Sequence, residues 1–334
     1  MITNGVHRTG RAAAMAGALA LVVTGCGSGD AGEAPDDGRI PVVASTDAWG
    51  SVLKAVGGDK VSVTSTVESS DGDPHSYEST ARDGLAFSEA ELVVYNGGGY
   101  DEFASQLARE ASDAPVLNAV ELSGHEGSDE HAEEPDPHKA EAHADEGTSE
   151  DTEHGHGHGG ANEHVWYDFA TVEAVADGAA KELGKIRPDE AATFEANAEK
   201  FTKALDDVEA KLSAIGEDNP GAKVIATEPV SHYLIEGAGL TDVTPEDFRD
   251  AIENETDVPV AVQDTVLRLV KSGDLAAVVN NPQTATPVTE ELVEAAKQSG
   301  VPVVDVTETL PEGEDDYLGW IESQVDALDA AVNR

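Results

Sequence analysis

The sequence has a single cysteine and few positive charges. Because Cys26 stands alone, the chain cannot form an internal disulfide. Asp and Glu number 67 against 20 Lys and Arg, which gives a formal charge of −47 at pH 7. A chain this anionic is repelled by phosphate backbones and by anionic lipid. We therefore expect no nucleic-acid partner.

The sequence also lacks long apolar runs after residue 25 and lacks the common hydrolase motifs. No later stretch is long enough to span a membrane, and no heptad pattern is long enough for a coiled coil. Neither a His-Glu-x-x-His helix nor a Gly-x-Ser-x-Gly turn is present. We therefore predict that the protein is not an enzyme.

The first residues are typical of a bacterial lipoprotein signal. Arg8 and Arg11 precede an apolar run, residues 12–23, that is too short to span a bilayer. The small residues that lead to Cys26 resemble a lipobox, in which the thiol is diacylated. We expect residues 1–25 to be a signal peptide, Cys26 to be lipidated and residues 26–39 to be a flexible tether. The protein would then be extracytoplasmic and anchored to the cell membrane only through lipid.

A segment rich in His and acidic residues interrupts the first half of the chain. Imidazole is the commonest ligand for zinc-like ions, and a segment of this composition cannot bury an apolar core. We predict a disordered, metal-collecting loop over residues 125–160. Its candidate auxiliary ligands are His125, His131, His138, His143, His154, His156 and His158.

Short β-rich runs alternate with helical stretches through the rest of the chain. The candidate strands are residues 41–46, 61–67, 92–96 and 116–120 in the first half, and 223–227, 275–280 and 301–306 in the second. Near-continuous apolar runs of this kind are typical of parallel strands buried on both faces. We predict an α/β fold of two lobes, each with a parallel β-sheet flanked by helices.

A long helical region, residues 169–215, lies between the two sets of strands. Pro188 divides it, because the residue before a proline is biased away from helix. Beyond the proline, apolar residues recur at helical spacing. They are Phe194, Ala198, Phe201, Leu205, Val208 and Leu212. We predict a first lobe over residues 40–185, a long rigid linking helix over 186–216 and a second lobe over 217–334.

Three places present metal-ligand chemistry next to predicted strands. Asp73 and His75 follow the strand that ends at residue 67, His164 lies where the His-rich segment returns, and Glu228 ends the strand that starts at residue 223. Strand-to-helix junctions gather ligands in α/β folds, and a carboxylate beside an imidazole can orient it. Each place offers side chains that can bind a metal ion.

In order and spacing, these pieces resemble the zinc- and manganese-binding solute-binding lipoproteins of metal ABC importers. The resemblance covers nearly the whole chain after the signal. Its motifs are Val42-Val-Ala-Ser-Thr46, Asp73-Pro-His75, Leu92-Val-Val-Tyr-Asn-Gly97, His164-Val-Trp166 and Asp305-Val-Thr-Glu-Thr309. It implies two α/β lobes joined by a rigid helix, one ion in the cleft between them, and an ABC permease with its ATPase as partners. We expect a monomer.

The resemblance also implies site residues. His75 and His164 take the places of the first-lobe ligands, and Glu228 takes the place of the third. The aspartate that often supplies the fourth ligand aligns with Leu310, which cannot coordinate. Glu308 is then the preferred fourth ligand.

Some alternatives stay open at the site. Asp305 or a water molecule could replace Glu308 as the fourth ligand. His232, four residues after Glu228, could approach the ion but is better explained as a surface residue. Glu163 stands where the family has a proline before the second His, which is a departure from the pattern.

The predicted function is capture of a divalent ion and its delivery to the permease. Zinc is favoured by the His-rich segment, and manganese is the alternative because carboxylates suit harder ions. Two other hypotheses are a surface metal-buffering or adhesive lipoprotein, and a zinc hydrolase that uses His75, His164, Glu228 and a water.

Overall fold

The apolar runs of the first half form a four-stranded sheet in the computed structural model. The structure describes residues 38–68, 73–111, 113–125, 162–254 and 256–334. The first elements are β1 (Ile40–Thr46), α1 (Asp47–Gly57), β2 (Val61–Val67), α2 (Ala81–Glu89), β3 (Leu92–Tyr95), α3 (Glu102–Ala111), β4 (Val116–Asn118) and α4 (Ala119–Ser123). The sheet has the order β2-β1-β3-β4, and each neighbouring pair is parallel.

Two helices follow the first sheet, and the second of them is the long helix that the sequence predicts. They are α5 (Phe169–Ile186) and α6 (Ala191–Asp218), separated by a 3₁₀ turn over Pro188–Glu190. The predicted apolar stripe of α6 is buried from Phe194 to Leu212. The helix ends two residues beyond the predicted boundary at residue 216.

The second half repeats the strand order of the first. Its elements are β5 (Lys223–Ala226), α7 (His232–Gly237), β6 (Thr241–Asp242), α8 (Glu246–Glu253), α9 (Val260–Lys271), β7 (Leu275–Asn280), α10 (Pro287–Ser299), β8 (Val303–Asp305) and α11 (Tyr317–Val332). The order is β6-β5-β7-β8, again all parallel. In each sheet the second strand in sequence lies on one side of the first strand (β1 or β5), and the third lies on the other side. Ligands of open α/β sheets bind beyond the carboxyl ends of the strands at such a reversal.

Helix α6 braces both sheets. It packs against α5 and α1 on the side of the first sheet, and against α7 and α11 on the side of the second. One buried apolar cluster runs from Val42 of β1 through the stripe of α6 to Val224 of β5 and Leu328 of α11. The predicted fold of two α/β lobes joined by a long helix is therefore confirmed.

Apart from differences of one or two residues at strand ends, the sequence-based strand assignments depart from the structure in two places. Residues 119 and 120 were placed in a strand, but they begin α4, because Asn118 Oδ1 accepts a hydrogen bond from the backbone N–H of Glu121 at 3.2 Å and caps that helix. Strand β6 was missed because it has only two residues and so shows no periodicity.

Within residues 38–68, 73–125 apart from 112, 162–254 and 256–334, no helix combines the length and the apolar character needed to cross a bilayer.

Replacing Leu205 by Ala should destabilise the protein through its effect on α6. Leu205 is buried in the stripe that joins the two lobes, and a Leu-to-Ala change at such a site costs about 2–5 kcal/mol. Lys203→Ala, on the exposed face of the same helix, should change the free energy of unfolding by less than about 0.5 kcal/mol. Urea unfolding measures both, and equal effects would contradict the bracing role of the stripe.

Candidate metal centre

His75 lies on a 3₁₀ turn, Pro74–Ser76, between β2 and α2. Oδ1 of Asp73 accepts the backbone N–H of His75 at 2.9 Å and lies 3.1 Å from Nδ1 of its ring. Because a carboxylate oxygen only accepts, Nδ1 carries a proton and Nε2 is left as the coordinating nitrogen. Asp73 therefore aims the imidazole, as outer-sphere carboxylates do in metal sites.

His164 is held by the same local arrangement, with an amide in place of the carboxylate. Oδ1 of Asn162 accepts the backbone N–H of His164 at 2.9 Å and lies 2.8 Å from Nδ1 of its ring. The Nδ2 group of Asn162 donates to the carbonyl of Pro229 at 3.1 Å, so this residue also contacts the second lobe next to Glu228. Both candidate imidazoles thus have Nδ1 occupied and Nε2 available.

Glu228 and Glu308 meet at one amide group. Glu228 follows β5, Glu308 follows β8, and Asn281 follows β7, so parallel pairing brings all three to the same edge of the second sheet. Nδ2 of Asn281 donates to Oε2 of Glu228 at 2.9 Å and to Oε1 of Glu308 at 2.8 Å. The hydroxyl of Thr284 also donates to Glu228. Both carboxylates are buried, with exposed fractions of 7% each.

Tyr100 connects these carboxylates to the imidazoles. It lies in the Gly-rich turn after β3, is fully buried, and its hydroxyl donates to Oε2 of Glu308 at 3.1 Å across the two lobes. Its ring centroid is 4.8 Å from that of His75 and 6.1 Å from that of His164. All four predicted ligands are therefore linked through Tyr100 and Asn281.

The linked residues do not form a closed coordination sphere. Across the part of the chain that the structure describes, no three His, Cys, Asp or Glu side chains lie close enough together to hold an ion as they stand. The two glutamates are occupied by Asn281, Thr284 and Tyr100 instead. An ion at this centre would require the four side chains to move closer together.

Burial and like charge shape the electrostatics of the centre. Burial and the neighbouring charge of Glu308 outweigh the hydrogen bonds from Thr284 and Asn281, and together these effects raise the pKa of Glu228 to about 7. Burial also raises the pKa of Glu308. Burial lowers the pKa of His164 to about 4, so this imidazole is neutral and ready to bind a metal. The hydrogen-bond donors to the two glutamates are neutral, and a divalent ion would stabilise the charge of both carboxylates.

The pKa of His75 is shifted in the opposite direction from that of His164. Burial lowers its pKa, but hydrogen bonds to Asp73 and Glu163 and the charge of Glu308 outweigh burial and raise the value to about 10. Glu163 is the second partner of this ring: its Oε1 lies 3.5 Å from Nε2 of His75. The ion pair with His75 lowers the pKa of Glu163 to about 2, although burial opposes the shift. The two turns are similar in shape but differ in charge, because Asp73 is a carboxylate and Asn162 is a neutral amide.

The alternative ligands lie elsewhere in the second lobe. Asp305 is exposed at the end of β8, and its Oδ1 accepts a hydrogen bond from Nδ2 of Asn280 at 2.7 Å. Leu310 is buried, as expected for a residue that cannot coordinate. His232 is about half exposed and lies 3.7 Å from Glu236. Of these, His232 lines a cavity of about 250 Å³ that Glu163 and Glu228 also line.

His125 is the one residue of the predicted auxiliary set that lies within the described part of the chain. Its Nε2 is 3.0 Å from Oδ2 of Asp168, and its ring stacks on Tyr233 with centroids 5.0 Å apart. This imidazole therefore has structural partners. The other six His residues of the segment, the signal and Cys26 lie outside the described residues.

Comparisons with known proteins identify the family of this chain. The profile of a family described as zinc-uptake complex component A, periplasmic, matches residues 42–331. The chain belongs to this family. The manganese-binding lipoprotein MntA of Halalkalibacterium halodurans is 24% identical over 331 residues, which is 95% of this chain and 96% of that protein. The manganese ABC transporter substrate-binding lipoprotein PsaA of Streptococcus mitis is 23% identical over 308 residues, covering 83% of this chain and 89% of that protein.

A solved structure shares the fold of this member of the zinc-uptake component A family. The periplasmic zinc-binding protein TroA of Treponema pallidum superposes with a TM-score of 0.66 at 16% identity, over 89% of this chain and 100% of that one. The resemblance drawn from the sequence motifs is therefore confirmed. The family consists of uptake proteins, so the hydrolase hypothesis gains no support from it.

Sequence reasoning missed the residues that organise the centre of this family member. Tyr100, Asn281 and Thr284 are uncharged, and their residue types alone do not indicate a metal site. Their positions carried the only signal: each comes within a few residues of the carboxyl end of a buried strand. Glu163 was noted only as a departure from a proline.

Lowering the pH should weaken metal binding at this centre. With the pKa of His75 at about 10 and that of Glu228 at about 7, the empty protein holds a proton on His75 at neutral pH and gains another on Glu228 below it. A cation must displace these protons, so affinity rises with pH. As the pH is lowered towards 7, one proton is displaced per ion, and we expect the affinity for the ion to fall about tenfold per pH unit. Below pH 7 the affinity should fall more steeply.

Titration of the purified protein with Mn²⁺ or Zn²⁺ against a competing chelator, at a series of pH values, gives this slope. His232→Ala should leave the slope unchanged, because His232 is about half exposed and its charged neighbour is Glu236, not Glu228 or Glu308. An affinity that does not vary between about pH 6 and 8.5 would show that no proton is displaced at the centre.

Proposed function

We propose that this protein captures a divalent first-row transition-metal ion outside the cytoplasm and delivers it to the permease of an ABC importer. The observation that carries the proposal is the gathering of His75, His164, Glu228 and Glu308 around Tyr100 and Asn281. These side chains come from turns after strands of both sheets and from the segment between them. Membership of the zinc-uptake component A family supports it independently.

The ion would bind by exchange of partners. Asp73 holds Nδ1 of His75 and Asn162 holds Nδ1 of His164, so Nε2 is the nitrogen of each ring that would bind the ion. The oxygens of both glutamates accept hydrogen bonds from neutral donors that can turn away. When the ion takes Glu308 from the hydroxyl of Tyr100, a direct contact between the lobes is replaced by a shared ligand. Release would reverse this exchange when the permease separates the lobes.

The donor set admits either manganese or zinc. Two imidazoles suit zinc, two carboxylates suit manganese, and the set lacks a thiolate that would decide for zinc. The relatives point both ways: MntA and PsaA are named for manganese, and TroA for zinc. The His-rich segment is the argument for zinc, and the buried glutamates are the argument for manganese.

The remaining sequence predictions complete the proposal. Cys26 would carry the lipid that anchors the protein, with residues 26–39 as the tether and the ABC permease and ATPase as partners. The named lipoprotein relatives support this location. The His-rich segment would collect ions near the centre, and the protein would act as a monomer with lobes over residues 40–185 and 217–334.

Removing both imidazoles tests the centre directly. His75→Ala combined with His164→Ala should weaken the tight site at least about 100-fold, since loss of outer-sphere partners alone costs 10–100-fold in metal sites. His232→Ala is the matched control and should bind as the wild type does. If tight binding survives the double substitution, the metal is held elsewhere, and the surface-buffering hypothesis gains from the result.

The fourth ligand is tested by a pair of substitutions near the end of β8. Glu308→Gln removes the charge of a buried glutamate that contacts Tyr100 and Asn281, and should weaken binding by about tenfold or more. Asp305→Asn removes a charge from an exposed residue and should change the affinity less than about threefold. The reverse ranking would make Asp305 the ligand.

A further inference from the structure

Glu163 has a buried carboxylate that faces the centre and has no role in the family resemblance. Its side chain has an exposed fraction of 8%, and its Oε1 lies 3.5 Å from Nε2 of His75. Because Nδ1 of His75 is occupied by Asp73, Nε2 is the atom that an ion must bind. Glu163 therefore stands at the one coordinating atom of this imidazole.

The position of Glu163 is fixed by the turn that follows β3. Its carbonyl accepts a hydrogen bond from Nδ2 of Asn96 at 2.8 Å, and Asn96 is fully buried. Gly98 passes so close that a Cβ there would lie 2.9 Å from Cβ of Glu163, and its φ of +67° favours glycine. These two contacts with the turn after β3 fix the backbone and Cβ of Glu163, whose side chain lies beside His75.

The spacing between Glu163 and His75 is that of two ligands of one ion. Two donors that each lie about 2.1 Å from a metal are about 3.4 Å apart at the tetrahedral angle and about 3.0 Å apart at a right angle. The observed separation of Nε2 and Oε1 is 3.5 Å. An ion could bind both atoms with little movement of either side chain.

We propose that Glu163 is an additional metal ligand, and that its carboxylate favours manganese over zinc at this centre. The inference rests on the proposed function. With Glu163, the centre offers two imidazoles and three carboxylates. Zinc is satisfied by four ligands, so a fifth donor adds little to its binding. Manganese takes higher coordination numbers with oxygen ligands, so it gains more from the third carboxylate.

The test compares Mn²⁺ and Zn²⁺ binding by the wild type and by Glu163→Gln. Gln keeps the size and the backbone contacts of Glu163 but is a poor ligand. We expect the affinity for Mn²⁺ to fall by about tenfold or more and that for Zn²⁺ by less than about threefold, measured against a competing chelator on the purified protein. Glu246→Gln is the control. It removes an equal charge from an exposed residue of the 250 Å³ cavity that Glu163 also lines, and it should leave the affinities for Mn²⁺ and Zn²⁺ unchanged.

Three results would overturn the inference. If Glu163→Gln binds both ions as the wild type does, Glu163 is not a ligand. If the variant binds both ions more tightly by the same factor, Glu163 is only a counter-ion of protonated His75. If Glu246→Gln lowers the Mn²⁺ and Zn²⁺ affinities as much as Glu163→Gln does, the change in affinity comes from long-range electrostatics and not from a lost ligand.

Two further measurements keep these outcomes interpretable. Glu163→Asp retains the charge but withdraws the carboxylate by one methylene, so it should also lose part of its Mn²⁺ affinity, and thermal unfolding of each variant reports whether it is folded. A wild-type protein that holds neither ion tightly would refute the proposed function itself. A wild-type protein that binds tightly through His75 and His164 but ignores Glu163 would refute this inference alone.

Discussion

The hydrogen bonds from one amide group to two buried glutamates are the interaction on which the candidate centre depends. Asn281 holds Glu228 and Glu308 together in a place where both are shielded from water. Neutral donors satisfy the oxygens but do not neutralise the charge, so burial raises the pKa of each carboxyl group. A cation would stabilise both ionised groups at once. This electrostatic arrangement favours a positive ion, as the proposed function requires, and the rest of the fold positions the proposed ligands.

Two similar turns present the imidazoles to the same place. Asp73 and Asn162 each lie two residues before a His and hold its backbone N–H and its Nδ1. The turns differ by one charge. Burial lowers the pKa of both imidazoles, but for His75 it is outweighed by Asp73, Glu163 and Glu308, so the pKa of His75 is raised while that of His164 is lowered. Helix α6 and the core that joins both sheets keep the carboxyl ends of the strands close enough for Tyr100 to reach Glu308.

Much of this architecture could be predicted from the sequence, because the responsible signals are local. Buried parallel strands are continuous apolar runs, and the stripe from Phe194 to Leu212 defines α6. The two residues of β6 carry no such pattern. His75, His164 and Glu228 were identifiable as ligand types beside strands, whereas Asn281 is an ordinary amide whose role exists only once β5, β7 and β8 pair. The contact of Glu163 with His75 joins residues far apart in the chain, which local patterns do not report.

The most direct measurement is anomalous diffraction from crystals of the metal-loaded protein. Data on either side of the absorption edge of manganese or zinc locate the ion and identify it. The account predicts one buried ion within about 2.0–2.2 Å of Nε2 of both His75 and His164 and of a carboxylate oxygen of Glu228 and of Glu308. An ion bound away from these side chains, or held by His164 without Glu228, would contradict it.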